Sequence, residues 1–228
     1  MNGYELIEHL HRGHAYDVYD AWSEQRGCRV VIRILRPDRR DPRALLREGR
    51  LLRQLAHPHI VRAYETRLRP PMVVLETLGG ATLAALLEDG PLEPADALQL
   101  GLQLSSAVRY LHGRGWLHLD LKPSNLIADG GRLKLIDLSI AQRPGRIRAG
   151  TGSPDFMAPE QERGGRVGPP ADVWGIGAVL RAAGGPDDVV AACLRDDLRE
   201  RPTVDTLIGW LNRTGEPSAC PPHPQPAA

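Results

Sequence analysis

The first third of the chain alternates. Residues 4–35 set short apolar runs against polar or glycine breaks, which predicts a strand-rich segment. Arg29-Val30-Val31-Ile32-Arg33-Ile34-Leu35 is β-branched and is followed by Pro37, so it reads as a strand. Asp41-Pro42 reads as a helix start, with Asp as cap and Pro in the first turn. Leu45, Leu51, Leu52 and Leu55 supply its apolar face up to His57-Pro58. Gly49 interrupts that face and weakens the helix by about 1 kcal/mol relative to Ala. Val73-Val74-Leu75 is a further short strand, and Gly79-Gly80 breaks the chain behind it.

Beyond Gly80 the period changes. Leu100, Leu104, Val108 and Leu111 recur at helical spacing, with Gly113 and Gly115 as terminators. Leu133-Lys134-Leu135-Ile136 is a short strand, and residues 172–183 and 187–213 hold more helix. From Gly215 the chain carries five prolines in fourteen residues, which predicts a disordered tail. No internal repeat exists. The expected organisation is α+β: a small β-rich lobe at 1–78, a mainly helical lobe at 79–214, a cleft between them, and the tail at 215–228.

Composition changes this picture little. At 228 residues the chain can bury a proper core, and a net charge of +1 offers no bulk field for nucleic acid. No apolar run is long enough for a transmembrane helix, and the N-terminus lacks signal-peptide order. Cys28, Cys193 and Cys220 show neither zinc spacing nor a disulfide framework, which suggests a reducing, cytoplasmic setting. Of the 29 basic residues only Lys122 and Lys134 are lysine. Against such an arginine-rich background, a lysine at 122 points to a need for a compact ammonium group. Nothing in the sequence sets an oligomeric state.

The candidate chemistry sits in two neighbouring loops. His118-Leu119-Asp120-Leu121-Lys122-Pro123-Ser124-Asn125 is followed twelve residues later by Asp137-Leu138-Ser139. Phosphoryl transfer from a nucleotide needs such a set: a carboxylate to receive a hydroxyl proton, and an amide and a second carboxylate to hold a metal ion against phosphates. The pair of loops resembles the catalytic and metal loops of eukaryotic-type (bacterial Hanks-type) Ser/Thr protein kinases. The resemblance covers Tyr4 to about Arg213.

It implies a bilobal fold with a shortened C-lobe, ATP and Mg²⁺ as cofactors, and protein as substrate. By the resemblance, Asp120 is the base, Lys122 neutralises the transferred phosphate, and Asn125 and Asp137 are the metal ligands. Gly13, Val18, Val31, Arg33, Glu48, Glu76 and Leu126 would serve the nucleotide. Residues Gly152 to Glu160 resemble the substrate-facing loop, with Ser153 where a Thr usually bonds the catalytic Asp and Lys. Glu160 is expected to pair with Arg201, Asp172 to hold the catalytic-loop backbone, and His118 to be a packed imidazole.

Several positions depart from the family's pattern. Of the Gly-rich loop only Gly13 survives, with His11 and Tyr16 at the flanking places. Val31 replaces a small Ala, and Arg33 replaces the Lys that bridges phosphates to a helix glutamate. Arg33 could grip Glu48 with both arms of its fork and still reach a phosphate. Leu119 replaces the Arg that receives an activation-loop phosphate, so activity independent of phosphorylation at Thr151 or Ser139 is expected. Ser139 replaces a hinge glycine, which predicts a loop that swings less. Only 28 residues separate Asp172 from Arg201. Three functions fit: a slow protein kinase, a pseudokinase scaffold, and a small-molecule phosphotransferase.

Overall fold

The computed structural model describes residues 3–13 and 15–214; the expected disorder from Gly215 lies outside them. The first lobe is a five-stranded antiparallel sheet. Its strands are β1 (Tyr4–Arg12), β2 (Tyr16–Ser23), β3 (Cys28–Leu35), β4 (Ala63–Leu68) and β5 (Pro71–Glu76), in the order β1-β2-β3-β5-β4. The strand expected over Arg29–Leu35 is β3. Its alternation sorts two jobs onto two faces. Val30 and Ile32 are fully buried with Tyr4, Ala21, Met72 and Val74, while Val31 and Arg33 point to the cleft.

Helix α1 (Arg43–Leu52) packs on this sheet through Leu45, Leu46, Leu51 and Leu52. Its start corrects the expected cap. Pro42 holds the N-cap position with no side-chain bond, and Asp41 accepts the Arg43 N–H at 2.9 Å one residue outside it. Gly49 is explained by close approach: a Cβ there would stand 2.5 Å from a Val73 methyl and 2.7 Å from Thr66 Oγ1. The helical cost of glycine is accepted so that α1 can lie against β4 and β5.

The second lobe opens with β6 (Ala81–Thr82) and the short helix α2 (Leu83–Leu86). Helix α3 (Pro94–Gly113) is its central column, and Leu104, Val108 and Leu111 are fully buried on it. Strands β7 (Leu126–Asp129) and β8 (Arg132–Leu135) pair with β6 in the order β6-β7-β8. Strand β9 (Gly145–Ile147) pairs with β10 (Gly165–Val167) across helix α4 (Pro159–Arg163). Helices α5 (Pro169–Ala183), α6 (Asp187–Cys193) and α7 (Val204–Thr214) complete the lobe. The main core is continuous, running from Leu52 and Val73 of the sheet lobe to Leu180 and Leu211 of the helical one. Burying such side chains stabilises by about 1.5–3 kcal/mol each.

Candidate active site

A cleft of about 750 Å³ lies between the lobes. Gly13, Val18, Val31, Arg33, Glu76, Lys122, Asn125 and Asp137 line it, as the sequence reading expected. Three expected residues do not, Asp120 among them. Leu126 is fully buried beneath the floor, and Ile127 faces the cleft in its place. Successive residues of a strand point to opposite faces, so the expectation was one position out of phase on β7. Glu48 is 1% exposed and stands behind Arg33 rather than at the cleft. Tyr16, expected beside Gly13 in the phosphate-covering loop, also lines the cavity, as do Leu75 and Leu78, which the sequence did not mark.

The catalytic-loop residues converge. Ser153 Oγ donates to Asp120 Oδ1 at 2.7 Å, and Lys122 Nζ donates to Ser153 Oγ at 2.7 Å. Lys122 Nζ lies 3.1 Å from Asp120 Oδ2, and Asn125 Nδ2 donates to that same oxygen at 3.1 Å. The loop beneath is held by buried Asp172. Its Oδ1 accepts the Leu119 N–H at 2.8 Å and its Oδ2 the His118 N–H at 2.9 Å. His118 is buried, and its Nδ1 accepts the Asp120 N–H at 3.1 Å. Burial pushes its imidazole pKa down. Leu119 takes a left-handed φ of 67° and packs into an apolar cluster with Leu117, Ala158 and Val167. No cation occupies that place.

Arg33 is buried, and its fork is split. One arm donates to Glu48 Oε1 at 2.7 Å; the other donates to the Ile136 carbonyl at 2.9 Å. The two-armed grip on Glu48 is therefore corrected, because Ile136 sits where the second arm would reach. Two of five N–H donors are used. Burial opposes the Arg33 charge, but Glu48 and Asp137 outweigh it and raise its pKa. Burial raises the Glu48 carboxyl in spite of Arg33. For Asp137, burial also pushes upward, yet Arg33 and Ser139 hold its carboxyl below the usual value, so it stays ionised. Tyr16 puts its ring 5.4 Å from the Arg33 guanidinium carbon, and burial, then the Asp137 charge, raises its phenol.

The Asp137 loop is tied at three points. Asp137 Oδ1 accepts the Ser139 N–H at 2.8 Å, Glu48 Oε1 accepts the Leu138 N–H at 3.1 Å, and Arg47 donates to the Ser139 carbonyl at 2.6 Å. The substrate-facing loop is tied by Gln161, a residue the sequence reading missed. Its Nε2 donates at 2.8 Å to both the Leu119 and Thr151 carbonyls. At Gly152, φ is 122° and a Cβ would stand 2.8 Å from the Leu119 oxygen, so the loop crosses the catalytic loop only with glycine there. Arg201 donates to Glu160 Oε1 at 2.7 Å and to Oε2 at 2.9 Å, so the expected pair is bidentate, with the Arg201 side chain fully buried.

The protein kinase domain family matches residues 4–183. The chain belongs to that family. It is similar to the CBL-interacting protein kinase 4 of Oryza sativa subsp. japonica, at 35% identity over 79% of this chain and 44% of the relative. It is also similar to the CBL-interacting serine/threonine-protein kinase 18 of Arabidopsis thaliana, at 33% identity over 79% of this chain and 37% of that one. A third relative, the serine/threonine-protein kinase PknK of Mycobacterium tuberculosis, is 33% identical over 79% of this chain and 17% of its own length. The chain thus spans less than half the length of these relatives. No helix among the described residues is long and apolar enough to cross a membrane.

Proposed function

We propose that the chain transfers the γ-phosphoryl group of ATP to Ser/Thr hydroxyls of protein substrates, slowly, with Mg²⁺ as cofactor. The observation that carries this reading is the Asp120–Lys122–Ser153 contact set, which meets the cleft through Lys122. A substrate hydroxyl placed where Ser153 Oγ now bonds would give its proton to Asp120 as the oxygen attacks phosphorus. The bond from γ-phosphorus to the bridging oxygen breaks, and ADP leaves with that electron pair. Lys122 sets an ammonium beside the charge in transit.

The donor set fits a magnesium ion. Asn125 bonds through its Nδ2, which keeps its carbonyl oxygen for a cation, and Asp137 is an ionised carboxylate with one oxygen engaged. Mg²⁺ takes one or two such hard oxygens and fills its shell with water and phosphate. When bound, it would neutralise phosphate charge.

The test is incubation with radiolabelled ATP and Mg²⁺ against a panel of proteins. Asp120→Ala should lower transfer by ~10²–10⁴-fold, the usual contribution of a positioned base. A second reading, a pseudokinase that binds nucleotide without transfer, is favoured by Tyr16 and Arg33, which crowd the phosphate end of the cleft. A thermal shift with ATP but label incorporation equal to that of Asp120→Ala would select it. Transfer to a sugar or aminoglycoside but to no protein would select a small-molecule phosphotransferase.

A further inference from the structure

A second cavity, of about 600 Å³, opens on the other side of Glu76, between β4, β8 and the chain after α1. Its wall holds four cations, Arg26, Arg53, Arg62 and Lys134, against the single carboxylate of Glu76. That carboxylate is already engaged: Glu76 Oε1 accepts Lys134 Nζ at 2.6 Å and the Arg62 backbone N–H at 2.9 Å. Among the described residues, no carboxylate lies within ion-pair distance of Arg26, Arg53 or Arg62. Instead, the guanidinium carbons of Arg26 and Arg62 lie 4.2 and 5.7 Å from the Tyr64 ring centre.

Arginine is abundant in this chain, so arginine on a surface signals little by itself. Three features separate this cavity from an ordinary solvated face. The charges converge on one concavity instead of spreading, which focuses their field. One of them is Lys134, one of only two lysines in the chain, and its side chain is 14% exposed. His57, also in the wall, has its pKa lowered to about 4 by burial first and then by His59, Arg109, Arg114 and Lys134. That imidazole stays neutral first because it is buried, and the neighbouring cations add to the effect.

We propose that this cavity is a second ligand site, for an anion bearing a phosphoryl group, coupled to the cleft through Glu76. The planar forks of Arg53 and Arg62 match phosphate oxygens, and Lys134 supplies a point charge beneath them. The volume falls within the ordinary range for small ligands. The coupling follows from one shared wall. Glu76 lines both cavities, and an anion that draws Lys134 towards itself loosens the Glu76 contact at the connection between the lobes. By linkage, the nucleotide must alter the anion's affinity by the same factor. No phosphoryl transfer is involved, so the site stands or falls independently of activity.

The test uses the full chain and two probes: a fluorescein-labelled phosphoserine peptide, followed by anisotropy, and inorganic pyrophosphate, followed by calorimetry. Each is measured on wild type and on Arg53→Ala/Arg62→Ala, whose exposed positions should leave the fold intact, checked by circular dichroism. Binding of the peptide alone identifies a phosphorylated polypeptide as ligand; binding of both shows that a small phosphate suffices. In either case the double variant should bind at least ten-fold more weakly. Dissociation constants above about 1 mM for both probes, or equal affinity in wild type and variant, would overturn the site. An ADP affinity unchanged by saturating peptide would overturn the coupling.

Discussion

At the scale of single residues, Arg33 is where this cleft departs most from the family's pattern. Its fork joins Glu48 on α1 to the Ile136 carbonyl ahead of Asp137, so it ties the two lobes as well as charging the cleft. A lysine cannot make both contacts at those angles. Arg33→Lys is therefore expected to lower turnover by about ten-fold, the rate equivalent of ~1.4 kcal/mol. A variant faster than wild type would show that the arginine is a defect. The acid, lysine, amide and second acid of the site were legible because their spacing is itself the signal. The path of Arg33's second arm was not, because it depends on a backbone oxygen 103 residues away. Ile127 is legible from strand alternation, because it and Leu126 are neighbours on β7 and serve opposite faces.

Among the elements, the segment from β9 to α4 shows how the site is kept in order. The buried amide of Gln161 spans the Leu119 and Thr151 carbonyls, while Leu119 has no charge to offer a phosphate. Phosphatase treatment is expected to leave activity unchanged. Gln161→Met should instead lower kcat by roughly ten-fold, since the buried Leu119 carbonyl loses its donor at a cost of about 1 kcal/mol or more and the half-buried Thr151 carbonyl is released with it. Nothing in the sequence marked Gln161, whose partners are all main-chain atoms. The strand β4 was also missed, because Ala63-Tyr64-Glu65-Thr66-Arg67-Leu68 mixes charge into a half-buried face.

The turn after α1 carries a pH dependence. Its His57 has a folded pKa of about 4 against an ordinary 6.5, so the unfolded chain takes up the proton first as pH falls. Stability present above pH 6.5 is lost progressively down to about 4. The thermal midpoint of wild type should fall more steeply across that window than that of His57→Gln. Parallel curves would rule this out.

For the whole molecule, the two-lobed architecture was readable from the change of hydrophobic period near Gly80. The α+β assignment rests on that change, and the family match agrees with it. What the pattern could not convey was how the two lobes are fastened, since Arg33 of the sheet lobe reaches the Ile136 carbonyl 103 residues away. Within the helical lobe, the expected pair of Glu160 and Arg201, 41 residues apart, joins α4 to the approach of α7. Removing one partner strands a buried charge, so Arg201→Ala should cost about 3–5 kcal/mol of unfolding free energy in a denaturant titration. A loss below about 1 kcal/mol would show that solvent reaches the pair.

The three ties on the Asp137 loop bear on how a cell could govern this molecule. With Leu138, Ser139 and Asp137 itself all fastened, the loop is expected to hold one posture with and without nucleotide, and a large flip of Asp137 between two such crystals would contradict this. On the proposed activity, control falls to nucleotide supply and to the anion cavity beside Glu76, not to a swinging of this loop.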